Sequence, residues 1–500
     1  MVPLKRSAGI LLPVFSLPSP WGIGTMGAAA REFLLFLEEA GQSCWQVLPL
    51  GETSFGDSPY QSFSSFAGNP YLIDLDLLRE EGLLTPEDYQ GLPWGEDPRR
   101  VDYALLYRQR RQVLRKAAER LLAAPPAEFA PFCRENAFWL EDYALFTALK
   151  ARQGGAPWWS WKDALRLRQP EALETARAEL RHELCLHRAV QFLFFRQWNA
   201  LRAFAHAHGV SLIGDLPIYT ASDSADVWSA PEQFQLDGAG HPTEVAGCPP
   251  DGFSPDGQLW GNYLFDWERM AGDGYRWWQR RVLFQLRLYD ILRIDHFRGF
   301  DAYYAIPAGD ATTRNGRWRP GPGIALFQAL TAAYGKPLPI IAEDLGFLSD
   351  SVRELVQATG YPGMKVLELA FDSRDSGASE WLPHRIGEHC VVYTGTHDND
   401  TILGWAATAP AADVAFARDY LKLGDRQDWN WAMMDAAWES PAELAVMQVQ
   451  DLLGLGHEGR MNTPSTLGGN WLWRLLPGEL TEDLARAVRE RMERFGRVSY

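Results

Sequence analysis

Ile291-Leu-Arg-Ile-Asp-His-Phe-Arg-Gly299 is a short apolar run that carries an arginine and an aspartate two residues apart and is closed by a glycine. Side chains alternate along a strand, so Arg293 and Asp295 face the same side. Taken as a strand over 291–295, the run has companions at 9–12, 45–50, 211–218, 339–344, 364–369, 389–394 and 446–452, which makes eight. Short apolar runs bounded by turn residues are what parallel strands covered on both faces look like. Amphipathic stretches, for example 28–40 and 274–289, separate several of them. Alternating strand and helix in eight units predicts an α/β chain, a single (β/α)8 barrel over residues 1–500.

The spacing of the runs locates insertions. About 160 residues separate the second run from the third, far more than one crossover helix needs. Helical patterning at 103–122, 131–152 and 171–201 predicts a mostly helical insertion over 75–205. A second insertion, 219–267, is rich in Gly, Pro and Asp with little periodicity, the composition of a binding loop. After the last run about 45 residues remain, too few for a separate β-sandwich domain.

Lys plus Arg number 48 against 64 Asp plus Glu, a net charge of −16 that repels phosphate backbones and argues against nucleic acid or an anionic membrane as partner. Aromatic residues make up 13% of the chain, and many tryptophans stand beside Gly, Pro or Asn. Core packing accounts for part of them. Loop tryptophans suit a ligand with C–H faces and a polar rim, as a sugar ring has. Five scattered cysteines without C-x-x-C spacing argue for a reducing compartment and against zinc. The N-terminal apolar run is broken by Pro13, and no run approaches the ~18 apolar residues of a membrane span. A cytoplasmic monomer without cofactor or metal is the expectation.

Three places carry candidate chemistry. An arginine beside Asp295 keeps that carboxylate ionised, as a nucleophile requires, although a buried ion pair fixing the core has the same pattern. In Pro339-Ile-Ile-Ala-Glu-Asp-Leu-Gly346 an apolar run ends in Glu343 and Asp344. Asp344 reads as a helix cap. Glu343 ends the strand that follows the one bearing Asp295, and two such carboxyls can approach to ~5 Å, the separation of a retaining nucleophile and its acid/base partner. In Thr396-His-Asp-Asn-Asp400, His397, Asp398 and Asp400 are possible metal ligands. The competing role for Asp398 is a third carboxylate that holds sugar hydroxyls as positive charge develops. Gly22-Ile-Gly-Thr-Met-Gly27 fits the dinucleotide pattern G-x-G-x-x-G, but Ser16-Leu-Pro-Ser-Pro20 before it is not a strand, and the match is rejected.

Together the motifs SAGILLPVFSLPSPWGIGTMG, WQVLPLGETSFGDSPYQSFSSFAGNPYLIDL, GDLPIYTASDSADVW, CPPDGFSPDGQLWGNYLFDW, RIDHFRGF, IIAEDLG, PGMKVLELAFD, VVYTGTHDNDT and RMNTPSTLGGNWLWRLLPGEL resemble those of one family over nearly the whole chain. It is the 4-α-glucanotransferases, or amylomaltases, glycoside hydrolase family 77. The resemblance implies transfer of an α-1,4-glucan segment to the 4-hydroxyl of another glucan, with retention. It implies that Asp295 is the nucleophile supported by Arg293, Glu343 the general acid and base, and Asp398, beside His397, the transition-state stabiliser. Asp215 would contact the sugar at the cleavage site, and Tyr60 and Asn470 would line the donor side. Residues 248–260 match a lid from which Asp251, Gln258 and Trp260 reach substrate, and Phe371 matches an acceptor-side aromatic. Phe55, Cys248, Gly252, Asp256 and Tyr263 depart from the family pattern. An α-glucan hydrolase and a non-catalytic glucan-binding barrel are the competing readings.

Overall fold

The computed structural model describes residues 6–250, 256–346, 348–375 and 379–498. In chain order its strands are β1 (Ser7–Leu11), β2 (Cys44–Gln46), β3 (Ser211–Leu216), β4 (Glu244–Cys248), β5 (Gln258–Tyr263) and β6 (Ile291–Ile294). They are followed by β7 (Ala302–Pro307), β8 (Arg317–Pro320), β9 (Ile340–Ala342), β10 (Gly363–Val366), β11 (Cys390–Tyr393) and β12 (Leu444–Gln448). Eight of them form one sheet in the order β10-β11-β12-β1-β2-β3-β6-β9, every pair parallel. Each of the eight apolar runs read from the sequence overlaps one of these strands, and β1, β2, β10 and β12 begin one or two residues before theirs.

The two ends of that sheet meet. Ala342 N–H donates to the Pro362 carbonyl at 2.9 Å, and Met364 N–H donates to the Asp344 carboxylate at 2.7 Å, so β9 and β10 close a barrel. Asp344 therefore staples the seam and is not the helix cap that its position suggested. Outward-facing side chains pack on the surrounding helices. Trp45 on β2 is fully buried, stands edge-on to Phe33 at 5.0 Å, and donates its indole N–H to Leu12 O at 2.7 Å. Phe33 belongs to helix Ala28–Glu39, which also buries Ala30, Leu34 and Leu37 on the stripe facing the sheet. Inside the barrel, Gln46, Asp215, Arg293, Tyr393 and Gln448 are all 3% exposed or less. Buried polar groups must find partners there, and Tyr393 donates to Gln46 Oε1 at 2.8 Å.

Between β2 and β3 lie helices Tyr103–Ala123, Phe129–Glu135, Ala137–Arg152, Pro170–Glu179 and Arg181–Ala207. Two stretches expected as single helices are divided, at Asn136 and Leu180. The Asn136 amide explains the first break, since it donates to Phe132 O and accepts the Trp139 indole N–H. The remaining strands form an antiparallel sheet in the order β5-β4-β7-β8. Strands β4 and β5 fall within 219–267, whereas β7 and β8 follow β6, so two barrel loops build this sheet jointly. Glu244 on β4 fastens it, with Arg319 at 2.7 Å and Arg317 at 2.9 Å on its two carboxylate oxygens. No helix among the described residues is long and apolar enough to cross a membrane.

Candidate active site

Register places the first polar cluster. Asp215 on β3 pairs with Arg293 on β6 across the parallel ladder. Arg293 Nη1 donates to both Asp215 oxygens, at 2.8 and 2.7 Å, and lies 3.1 Å from Asp295 Oδ1. The period of two in the strand thus puts Arg293 and Asp295 on one side, as the sequence pattern required. The guanidinium has almost no solvent to share its charge with, and two carboxylates compensate it.

The second carboxyl comes from the next strand. Ile294 on β6 is in register with Ala342 on β9, so Asp295 and Glu343 leave adjacent strands at the same level. Neighbouring strands run about 4.8 Å apart. Past Asp295 the chain turns sharply, with His296 in the left-handed region at φ 51°. A non-glycine residue pays for that conformation with strain, which persists where the surroundings enforce it. Here the turn aims His296 N–H at Glu343 Oε2, 2.7 Å away, while Leu345 N–H donates to Glu343 Oε1 at 2.8 Å. The Glu343 carboxyl is held at both oxygens by backbone.

Burial raises both acids above the usual carboxyl range; Asp215 and Asp398 push Asp295 further up, and Asp295 does the same to Glu343. Arg293 opposes the rise at both. Its direct 3.1 Å contact is with Asp295, so Asp295 ionises first and the proton stays on Glu343. Burial also lowers the affinity of His296 and His397 for a proton, which keeps both rings neutral.

The third carboxylate lies on the loop after β11. Asp398 Oδ2 is 3.4 Å from His397 Nε2, and Asp398 Oδ1 accepts the Asn462 amide at 2.6 Å. Tyr60 joins this loop to the first cluster. Its hydroxyl donates to Asp215 Oδ2 at 2.8 Å and accepts from His397 Nε2 at 2.8 Å. The Tyr60 and His397 rings are stacked with centroids 5.1 Å apart, and Trp471 lies 5.9 Å from each. Tyr60, Asp215, Arg293, Asp295, His397 and Asp398 therefore form one connected array at the C-terminal ends of the barrel strands, where barrel enzymes work. Glu343 adjoins it through the His296 turn.

Trp260, half-buried on β5, stands edge-on to His296 at 4.9 Å and donates its indole N–H to Gln258 at 3.1 Å. The small sheet thus carries both residues to the edge of the array. Asn470 is farther out and binds its own loop, accepting Thr463 N–H at 3.0 Å. Phe371 is 1% exposed and packs against Trp405, Phe416 and Tyr420, so in this conformation its ring offers almost no surface to a ligand. Asp251 and the side chain of Phe55 lie outside the described residues. Tyr263 is mostly buried, its ring 6.2 Å from that of Trp159.

Sequence reasoning missed Asn462, Arg460, Trp471 and the backbone donors of His296 and Leu345. The first three stand within the quoted motif RMNTPSTLGGNW, yet no local pattern shows that they touch Asp398 or Tyr60. His397, Asp398 and Asp400 do not converge, because Asp400 accepts from His457 Nδ1 at 2.7 Å on the far side of the turn. Among the described residues no group of three or more His, Cys, Asp or Glu is arranged to hold a metal ion.

The profile of the family described as 4-alpha-glucanotransferase matches residues 12–480. A 4-alpha-glucanotransferase of Thermus thermophilus is 50% identical over 98% of this chain and 99% of its own length. One of Clostridium butyricum is 44% identical over 97% of this chain and 99% of its own. Among solved structures, an amylomaltase from Streptococcus agalactiae in complex with acarbose superposes with a TM-score of 0.96 at 40% identity, covering 99% of this chain and 100% of that one.

Proposed function

The chain belongs to the 4-alpha-glucanotransferase family, glycoside hydrolase family 77, and we propose that it carries out the family's transfer reaction by a double displacement on Asp295. The substrates are α-glucans. In the first half, Glu343 gives its proton to the 4-oxygen of the leaving glucan while Asp295 attacks the anomeric carbon with inversion. Asp398 takes up hydroxyls of the reacting sugar as positive charge develops, and Asp215, tied to Arg293 and Tyr60, fixes the same sugar from the other side. In the second half, Glu343 removes the proton from a second glucan's 4-hydroxyl, which attacks the glucosyl ester with a second inversion. The α-configuration is retained.

The observation that supports this reading is the register of β6 against β9. It brings Asp295 and Glu343 to one level on adjacent strands, consistent with the ~5 Å carboxyl separation of retaining enzymes. Transfer needs the acceptor sugar to outcompete water at about 55 M, which good positioning in an aromatic-walled cleft supplies. Tyr60 and Trp260, with Gln258, are the residues we assign to that wall, and Asn470 and Asp251 to its outer parts. Phe371 acts on the acceptor side through the packing of its loop in this reading. The chain works as a monomer.

Incubation with maltotriose tests the assignment. Glucose together with maltotetraose and longer chains is expected. Glucose and maltose alone mean hydrolysis, and unchanged maltotriose would contradict both.

A further inference from the structure

Asp398 differs from the other two acids in how it is held. Asp295 is pinned by Arg293, and Glu343 by two backbone donors. Asp398 sits on a loop, and its side chain is 44% exposed, so packing does not select its rotamer. His397 Nε2 lies 3.4 Å away, long for a hydrogen bond, and its N–H goes to Tyr60 at 2.8 Å. The short side-chain contact to the carboxylate is the Asn462 amide at 2.6 Å.

Arg460 sets where that amide arrives. Its Nη2 donates to the Asp398 carbonyl at 2.9 Å and its Nε donates to the Asn462 carbonyl at 2.8 Å. One rigid guanidinium thus joins the backbones of both partners in the hydrogen bond, a geometry that a flexible lysine does not reproduce. Asp400 steadies the guanidinium from behind, with Oδ2 3.7 Å from Nη1.

We propose that Asn462 is a positioning residue for Asp398, with Arg460 fixing the relative placement of the two, and that together they hold the third carboxylate where the reacting sugar meets it. The proposal rests on the reading of Asp398 as transition-state stabiliser. An Asn462 amide that donates to one oxygen leaves the other oxygen of Asp398 for substrate hydroxyls.

Steady-state kinetics on maltotriose with Asn462→Ala, Asn462→Asp, Arg460→Gln and Asp398→Asn, each with a thermal melt, test it. Asn462→Asp keeps the side-chain shape but removes the N–H donor. Both Asn462 variants are expected to lose about 10- to 100-fold in kcat, with KM within about 2-fold and an unchanged melting temperature. Arg460→Gln is expected to lose about 10-fold in the same way. Wild-type kcat in Asn462→Asp, beside an inactive Asp398→Asn, overturns the positioning role and leaves Asp398 in place. Losses that follow only the fraction of folded protein overturn it as well. A fully active Asp398→Asn instead overturns the reading of Asp398 itself.

Discussion

Arg293 reaches two carboxylates through a single nitrogen, and that contact divides labour between the acids. Burial pushes Asp295 and Glu343 up, to about 7 and about 8, and as neighbours they titrate as a pair. In the proposed reaction the form competent for the first half has Asp295 ionised and Glu343 protonated. Acidification would then protonate the proposed nucleophile, Asp295, whereas alkali would strip the proposed acid, Glu343. A bell-shaped kcat/KM is therefore expected, its alkaline limb governed by Glu343 and falling above about pH 8. Glu343→Gln should turn over maltotriose at least about 1,000-fold more slowly, yet still react with an α-glycosyl fluoride, whose leaving group needs no proton. An alkaline limb that survives in Glu343→Gln with the fluoride would assign it to another group. Rates of fluoride release against pH decide this.

At the scale of elements, the barrel depends on one weak seam. Only three residues form β9 and four form β10, and the Asp344 carboxylate bridges them beside Glu343. Asp344→Ala should cost about 1–3 kcal/mol in urea unfolding and lower kcat, whereas Asp344→Asn keeps an acceptor and should lose under about 1 kcal/mol. Equal stability of both variants with wild type would remove the seam role. Gly363 supports it, since a Cβ there would come within 2.5 Å of the Asp344 carboxylate. The eight strands were legible because buried parallel strands leave short apolar runs between turn residues. Arg293 and Asp295 were legible because a period of two is a local property. The closure at Asp344 was not, because its partner Met364 lies 20 residues on and a carboxylate before a helix looks like a cap. The small sheet was only half visible, since β7 and β8 reach β4 from another barrel loop. Asn462 was invisible for the same reason at longer range, 64 residues from Asp398.

Across the whole molecule, the two termini lock the barrel together. Arg497 is fully buried and donates to the carbonyls of Ser7, Ala437, Trp438, Ser440 and Ala442, joining β1 to the approach of β12. Arg497→Met should leave those carbonyls short of donors and destabilise by about 3 kcal/mol or more, read as a lower urea midpoint. A midpoint equal to wild type would show that the tie contributes nothing. The barrel so closed brings acids from the ends of its fourth, fifth and seventh strands to one place, and the proposed reaction depends on what Asp295 does there. Intact-protein and peptide mass spectrometry of Glu343→Gln after exposure to α-maltotriosyl fluoride measures this directly. One maltotriosyl unit esterified to the peptide containing Asp295, and lost when Asp295 is changed to Asn, is the expected result. Release of fluoride and free maltotriose with no adduct at Asp295, or an adduct on a different carboxylate, would contradict it.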